Sequence, residues 1–464
     1  MLSIFNKLSW RLDILEKKIV IFWCDFVFIY LSIFLTVILR STISYDIFLH
    51  REYFTIILIY TIFALILFYI LDLYNIFVID FWSGLLPRIY VGVSLTVLFI
   101  IVNSFYHEPI ALPRKSIILL TFVLVVGLSL IRYYLMVIHR YPLKVMIIGS
   151  GVTSLKIIED LQQTGSDFFQ IVGVYNGSEH YKGKKVCEIE VRGTVKNFLN
   201  DIKDNPPQLV VVSFEHELTP EWTDALLKCG RMNINVYSAA DVYGKIFGKV
   251  PSDHIDAIWL LSGMNNIRKP YLIFKRVLDI FFAVTGLLIM AVLFPFLFII
   301  MKITSPGPVF FSQKRVGLLG KEFKIYKFRT MIVNAENNTG AVWCTEQDKR
   351  ITPLGRFMRK VRIDELPQFW NILKGDMSLI GPRPERPEFV EMLKKRIPFY
   401  DERHLVKPGL TGWAQVLFPY GNSVEDSAHK LHYDLFYIRN MSIFMDMKIV
   451  LKTVSTILEA KGGM

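Results

Sequence analysis

Apolar runs of bilayer length constrain this chain before anything else does. Four of them, at about 19–39, 53–71, 85–103 and 116–138, fall in the first third of the sequence, and a fifth follows at about 277–301. Each approaches the ~20 residues that cross a hydrocarbon core as a helix. A segment at that depth must satisfy its backbone hydrogen bonds internally, so helix is its predicted state. The 464 residues are 53% hydrophobic, with a positive mean hydropathy, which places the chain in the membrane class. The formal charge of +12 points to an anionic partner: nucleic acid, a phospholipid surface or a phosphorylated substrate.

The basic stretch 1–18 (Lys7, Arg11, Lys17, Lys18) is no signal peptide, because the run after it is too long and no small-residue cleavage site follows. Basic residues there and around Arg132, Arg140 and Lys144 favour a cytoplasmic start and finish of the four-span region. The external loops also hold Arg40, Arg51, Arg114 and Lys115, so the stronger argument is parity: an even number of spans returns the chain to its starting side. Cys24, Cys187, Cys229 and Cys344 form no CxxC pair, which argues against a disulfide framework or zinc site and suits a reducing cytosolic side.

Residues 143–262 read as a Rossmann-like α/β domain between a transmembrane region, 1–142, and a third domain, 263–464. Lys144 to Gly149 is a buried parallel strand, Gly149-Ser150-Gly151 opens a helix, and Ile171–Tyr175, Gln208–Ser213 and Ile234–Tyr237 are further strands. The dinucleotide fingerprint is incomplete. Ser154 takes the third glycine position, and Asn176 stands where a ribose-binding acid belongs, so a structural or regulatory role is favoured over bound nucleotide. His180, His216 and His254 are scattered and receive no role. Gly263 and Arg268-Lys269-Pro270 form the linker into the third domain.

The fifth run has basic residues on both sides: Arg268, Lys269, Lys275 and Arg276 before it, Lys302, Lys314, Arg315, Lys321, Lys324, Lys327 and Arg329 after it. Placing either cluster outside opposes the positive-inside rule. Pro295 removes a backbone hydrogen bond within the run, so a kinked, re-entrant hairpin is expected in place of a fifth crossing. Val309–Ser312 and Phe323–Phe328 read as strands. Residues 388–404 and 424–460 carry helical periodicity that suits either a membrane-surface layer or the core of this domain.

Residues 359–387, RKVRIDELPQFWNILKGDMSLIGPRPERP, set two adjacent carboxylates, Asp364 and Glu365, among Arg359, Arg362, Arg383 and Arg386. Neighbouring helical side chains diverge by about 100°, so one carboxylate can face a reacting centre while the other turns to a cation. Gly381-Pro382-Arg383-Pro384 is a stiff loop presenting one guanidinium, a form suited to bidentate phosphate recognition. The competing reading is a helix cap with surface ion pairs.

With KIYKFRTM (Lys324 to Met331) and VKPGLTGWAQV (Val406 to Val416), this stretch resembles the bacterial sugar transferase family, the monotopic polyprenyl-phosphate phosphoglycosyltransferases that begin surface-polysaccharide assembly. The resemblance covers about 268–464, and PYGNSVEDSAHKLHYDLFYIRNMSIFMD is similar to the exopolysaccharide-type branch. It implies transfer of sugar 1-phosphate from a nucleotide diphosphate sugar, expected to be a UDP-sugar, to polyprenyl phosphate, expected to be undecaprenyl phosphate. It further implies Asp364 as nucleophile, Glu365 as Mg2+ ligand, and Arg359, Arg383, Lys327 and Arg329 as phosphate-binding groups, with Asp376 a weaker choice. Trp413 and Trp370 read as packing or interfacial anchors. The expected partners are these two substrates and membrane lipids, with no nucleic acid; a homo-oligomer is compatible with this reading. The expected location is the bacterial cytoplasmic membrane, multi-pass, with the catalytic domain on the cytosolic face.

Two rivals remain. A membrane-bound nucleotide-sugar dehydratase needs a full glycine fingerprint and a Tyr-x-x-x-Lys pair; Tyr181/Lys185 and Tyr271/Lys275 have only the spacing. A non-catalytic scaffold leaves the acidic pair and its arginines unexplained. The one-sided seating of the fifth run can be checked directly. In a chain freed of its native cysteines, single cysteines at positions 265 and 320 are both expected to escape an impermeant thiol reagent in intact cells. Labelling of one of them alone would make the run a true crossing.

Overall fold

The computed structural model describes residues 14–40, 51–74, 85–106, 114–134, 142–149, 152–165, 169–176, 183, 185–186, 189–213, 219–251, 259–260, 269–333, 335, 348, 350–418, 421 and 423–458. Ser150, Gly151, His180, Tyr181, His216, His254, Gly263 and Arg268 lie outside them. The contacts divide the chain into two compact units, Met1–Ile246 and Phe247–Met464.

In the first unit the four amino-terminal apolar runs become helices α1 (Ile14–Arg40), α2 (Arg51–Ile70), α3 (Leu86–Tyr106) and α4 (Arg114–Tyr133). Each packs on its neighbours in sequence, and α1 closes the ring against α4. Ile29, Ile33, Phe68, Val93 and Leu124 fill the centre. The outward face is apolar too, with Trp23, Leu35, Ile66, Leu98 and Phe122 exposed, the pattern of a bundle surrounded by hydrocarbon. By length and composition Lys18–Ile38, Leu86–Asn103 and Lys115–Tyr133 suffice to cross a membrane, while Phe54–Ile70 is a shorter apolar helix. The hydroxyls of Ser32, Thr36, Thr61, Thr96 and Thr121 donate to carbonyls four residues back, which satisfies them without water.

Among the described residues one charged contact crosses the bundle. Arg132 on α4 pairs with Asp25 on α1, both fully buried, and its guanidinium lies 5.1 Å from the centre of the Tyr74 ring.

The rest of the unit is a six-stranded sheet. Its strands are β1 (Leu143–Ile148), β2 (Phe169–Tyr175), β3 (Lys185–Val186), β4 (Ile189–Gly193), β5 (Leu209–Val212) and β6 (Asn235–Ser238), in the order β3-β4-β2-β1-β5-β6. All pairs are parallel except β3–β4 at the edge. Helices α5 (Val152–Gly165), α6 (Val195–Asp204), α7 (Pro220–Arg231) and α8 (Ala239–Phe247) alternate with the strands, as parallel pairing requires. Gly149 ends β1 at φ +123°, and a Cβ there would lie 2.2 Å from the Ser213 carbonyl oxygen. Ser154 is wholly buried behind this turn.

The second unit opens with α9 (Lys269–Thr304), which runs as one helix through Pro295. The expected hairpin break is not present. Pro295 cannot donate to the Ala291 carbonyl, but packing on either side holds the turns in place. Met290, Phe294, Leu297 and Met301 pack with Val309, Phe328 and Met358. Further back, Ala283 packs with Ile325, Ile372 and Met377, and a Cβ on Gly286 would meet the Phe369 ring at 2.3 Å. One face of α9 is therefore docked on its own domain along most of its length. The opposite face, including Ile273, Val277, Val284, Leu288, Val292, Phe296 and Ile303, is exposed.

The docked elements are a hairpin, β7 (Phe310–Val316) and β8 (Glu322–Phe328), then α10 (Pro353–Lys360), a 3-10 turn at Ile363–Glu365, and α11 (Gln368–Lys374). The short parallel pair β9 (Ser378–Ile380) and β10 (Gly409–Thr411) follows, with α12 (Pro387–Lys394) between its strands. Helices α13 (Trp413–Leu417), α14 (Val424–Arg439) and α15 (Ile443–Leu458) complete the unit. The periodic segments after 424 contribute Leu431, Leu435 and Ile449 to the buried core.

The Asp25–Arg132 pair generates a stability prediction. Removing one partner strands a buried charge, at a cost of about 3–5 kcal/mol, whereas replacing both with apolar residues is often close to neutral. Arg132→Leu is expected to lower the thermal midpoint of the detergent-solubilised protein far more than the Asp25→Leu/Arg132→Leu double variant, as followed by circular dichroism.

Candidate active site

The acidic pair sits on a sharp corner. Helix α10 ends at Lys360, and Arg362 takes left-handed backbone angles, φ 58° and ψ 16°, before the turn that carries Asp364 and Glu365. A non-glycine side chain there costs roughly 1–3 kcal/mol, so the surroundings must hold it. Pro367 then leads into α11. The corner turns both carboxylates inward: Asp364 is 5% exposed and Glu365 6%.

Glu365 is the electrostatic hub. Its Oε1 accepts from Arg383 Nη2 at 2.9 Å and from Lys327 Nζ at 3.1 Å, with Arg362 Nη1 at 3.7 Å. Burial opposes its ionisation, but Lys327, Arg383 and Arg362 outweigh burial and hold the carboxyl well below the usual range. Asp364 shifts the other way. Burial pushes it up, the Glu365 charge adds to that, and Lys327, Arg359 and Arg362 only partly offset the two. Its Oδ1 is buried with no hydrogen-bond partner among the described residues. Two adjacent carboxylates thus have unlike environments, one neutralised by cations and one left with an unengaged oxygen.

Lys327 and Arg383 reach Glu365 because other side chains fix their backbones. Fully buried Asn371 on α11 donates to Lys324 O at 2.7 Å and accepts from Tyr326 N at 3.2 Å, stitching β8 to the helix after the dyad. The loop bearing Arg383 is pinned from both sides: Gly381 N donates to Thr411 O, and Gly409 N donates to Pro382 O. Buried Arg403 donates to the Arg383 carbonyl at 3.0 Å, to Asp434 at 2.8 Å and to the Tyr400 hydroxyl at 2.8 Å. Burial pushes Asp434 up to about 6 despite that partner. Behind the dyad, Arg276 of α9 donates to the Ile372 and Leu373 carbonyls, and Asp279 accepts from Ser378 and Leu379.

The structure therefore gathers Asp364, Glu365, Lys327 and Arg383. Arg359 lies alongside, donating to Thr330 Oγ1 at 2.9 Å, and its charge reaches Asp364. Arg329 is placed differently from its expected phosphate-binding position. It is buried and donates to the carbonyls of Ser305 and Pro306, so it clamps the turn after α9. Asp376 pairs with Lys374 at 3.1 Å. Trp413 is buried and donates to Gly248 O at 2.7 Å, a packing role, whereas Trp370 is exposed.

Sequence reasoning assigned no role to Asn371, Arg403 or Asp434, and it counted Arg362 among the nearby arginines without pairing it to Glu365. A lone amide inside the apolar run FWNIL was the available signal for Asn371. Of the two dehydratase-type pairs, Tyr271 and Lys275 both donate to Asp446, at 2.8 and 2.9 Å, within the second unit. Tyr181 lies outside the described residues.

The bacterial sugar transferase family description matches residues 270–460. Among curated relatives, a UDP-N-acetylgalactosamine-undecaprenyl-phosphate N-acetylgalactosaminephosphotransferase of Aeromonas hydrophila is 42% identical, covering 54% of this chain and 58% of that protein. A UDP-glucose:undecaprenyl-phosphate glucose-1-phosphate transferase of Klebsiella pneumoniae is 31% identical over 67% of each chain. The uncharacterized sugar transferase EpsL of Bacillus subtilis (strain 168) is 40% identical over 41% of this chain and 90% of its own length. This chain belongs to the bacterial sugar transferase family. Its match spans little more than half of the Aeromonas relative.

The opposed shifts in the dyad can be measured. Replacing Glu365 with Gln removes one of the two causes that raise Asp364 and leaves Lys327, Arg359 and Arg362 to favour its ionised form. The Asp364 titration, read from its protonated carboxyl band by isotope-edited infrared spectroscopy, is expected to move to lower pH in Glu365→Gln. An unmoved titration would mean that the Glu365 charge does not reach Asp364.

Proposed function

We propose that the protein transfers a sugar 1-phosphate, in the form of a hexose-type phosphate, from a UDP-sugar to undecaprenyl phosphate, initiating assembly of a surface glycan. The activities for which the Aeromonas and Klebsiella relatives are named support the reaction class. The observation that carries the mechanism is the buried, unpartnered Asp364 Oδ1 beside a Glu365 already neutralised by three cations.

In the first step an ionised Asp364 oxygen attacks the phosphorus bonded to the sugar. The bond to the bridging diphosphate oxygen breaks, and UMP departs with that electron pair, leaving an aspartyl phosphosugar. In the second step a phosphate oxygen of the lipid attacks the same phosphorus and the Asp364 carboxylate is regenerated. Lys327, Arg383 and Arg359 bind phosphate oxygens and stabilise charge on the transferred group. Arg329 contributes at a distance, by fixing the turn between α9 and β7.

Mg2+ suits the donor set, since the three cations approach Glu365 through Oε1 and a carboxylate offers a second hard oxygen. Among the described residues no three His, Cys, Asp or Glu side chains converge on one point. Glu365 would therefore hold the ion together with diphosphate oxygens, not within a protein cage. When bound, the ion supplies charge neutralisation at the diphosphate.

The same reading lays the unbroken α9 along the cytosolic face of the bacterial cytoplasmic membrane, with its exposed apolar face toward the hydrocarbon and both ends on the cytosolic side. Basic residues flank both ends, and its own domain packs along its length. At 36 residues the helix is about 54 Å long, enough to cross roughly 30 Å of hydrocarbon, so the flanking charges and the docked face, not the length, support this seating.

Incubation with UDP-sugar alone tests the mechanism. Mass spectrometry is expected to find the phosphosugar on the peptide containing residues 363–374, and Asp364→Asn to abolish both adduct and turnover. Glu365→Gln is expected to retain the nucleophile, lose activity sharply and recover part of it at raised Mg2+. Lys327→Met is expected to lower kcat/KM by roughly 10²–10³-fold. Normal turnover in folded Asp364→Asn, or an adduct on another side chain, would end the assignment.

A further inference from the structure

A cavity of about 290 Å³ opens beside Glu365, one residue from Asp364, and its lining combines two chemistries. Lys360, Arg362 and Glu365 contribute charged groups, while Leu366, Phe369, Leu379, Leu410 and Val416 contribute an apolar wall; Asp364 itself does not line it. Thr411, Thr453 and Thr456 also contribute, but their hydroxyls are engaged within the protein. Thr411 and Thr453 bond each other at 2.8 Å, Thr453 donates to Ile449 O, and Thr456 donates to Lys452 O. Gln415 turns its amide into the wall, donating to Leu410 O with its oxygen buried. The wall thus presents methyl and methylene groups, and it lacks the array of open donors and acceptors that a sugar or a nucleobase requires.

Two further facts locate this cavity. Phe369, one of its wall residues, is the side chain seated on Gly286 midway along α9, so the apolar wall adjoins the apolar helix. Lys327 and Arg383, which engage Glu365 from β8 and the 381–386 loop, do not line it. The cations around Glu365 therefore fall into two sets, one inside the cavity and one outside.

We propose that this cavity is the acceptor subsite, taking a polyprenyl phosphate with its phosphate at Arg362 and Lys360 and its first isoprene units along the Leu366–Phe369–Leu410–Val416 wall. The proposal rests on the reaction proposed above and divides it spatially: Lys327 and Arg383 serve the nucleotide diphosphate, Arg362 and Lys360 the lipid phosphate. At 290 Å³ the cavity is near the lower limit of small-molecule sites, roughly 300–1,000 Å³, so only the phosphate-proximal part of a long chain enters. The remainder lies outside the cavity.

The full chain in detergent is photolabelled with a benzophenone-bearing farnesyl phosphate, and the labelled peptides are mapped. Label is expected within residues 410–416 or 451–458 and is expected to be displaced by undecaprenyl phosphate. Displacement by UDP-sugar alone would reassign the cavity to the donor, and label confined to other peptides would also overturn the proposal. In parallel, Val416→Phe and Thr456→Phe shorten the cavity from two separate helices. Each is expected to raise KM for undecaprenyl phosphate by about tenfold or more, with KM for the nucleotide sugar changed by less than about twofold. Equal changes in both constants would count against the subsite. The two readings separate cleanly: turnover with label elsewhere removes the subsite and keeps the reaction. Label in the cavity with no transfer from any UDP-sugar removes the reaction and keeps a polyprenyl phosphate site.

Discussion

The carboxylate of Glu365, held among Lys327, Arg383 and Arg362, is the interaction on which the second unit depends. Those three cations come from a β-hairpin, a proline-flanked loop and the corner after α10, so one buried negative charge ties three elements to a common point. Without it, three positive groups would crowd a poorly hydrated space; without them, a buried carboxylate would take up a proton. The arrangement has a side effect on its neighbour. Because Glu365 takes up the nearest cations, Asp364 Oδ1 is left without a hydrogen-bond partner among the described residues.

Fixing such a cluster at a membrane demands rigidity from the apolar side as well. Helix α9 supplies it by contributing both an exposed apolar face and core. Met290, Phe294 and Met301 pack under β7, β8 and α10, and Arg276 and Asp279 reach over to the backbone at Ile372–Leu379. The helix is thus a structural wall of the active-site domain. In the amino-terminal bundle the logic is different: helices meet through side-chain packing and, among the described residues, one buried ion pair, and the hydroxyls of Thr36 and Thr61 are satisfied within their own helix.

Much of this was legible in the sequence, and what was missed follows a pattern. Apolar length gave α1–α4 and α9, and continuous β-branched runs gave β1, β2, β5 and β6, because these signals are local. The motifs singled out Lys327 and Arg383 as phosphate-binding groups, whereas their pairing with Glu365 is visible only in the structure. Pro295 misled because a proline in isolation breaks a helix, whereas the stack of Phe294 on Phe310 and Phe328, with rings 5.6 and 6.3 Å apart, is a tertiary effect. Arg329 misled for a similar reason: two residues beyond Lys327 it shares that strand's parity, but it lies just past the end of β8, where the carbonyls of the Ser305–Pro306 turn are within reach. Arg403 and Asp434 are 31 residues apart, and no local pattern announces a pair of that kind.

Arg362 shows how two requirements can meet at one residue. Its backbone sits where glycine is the natural occupant, yet its guanidinium is one of the charges around Glu365 and one of those lining the adjoining cavity. Glycine would relax the corner and delete the charge. Lysine would keep the charge but forfeit the planar fork, and a β-branched residue would fail on both counts. No single replacement meets both demands, so variation at this corner has no gradual route: the chain must keep arginine or rebuild the turn and the ion cluster at the same time.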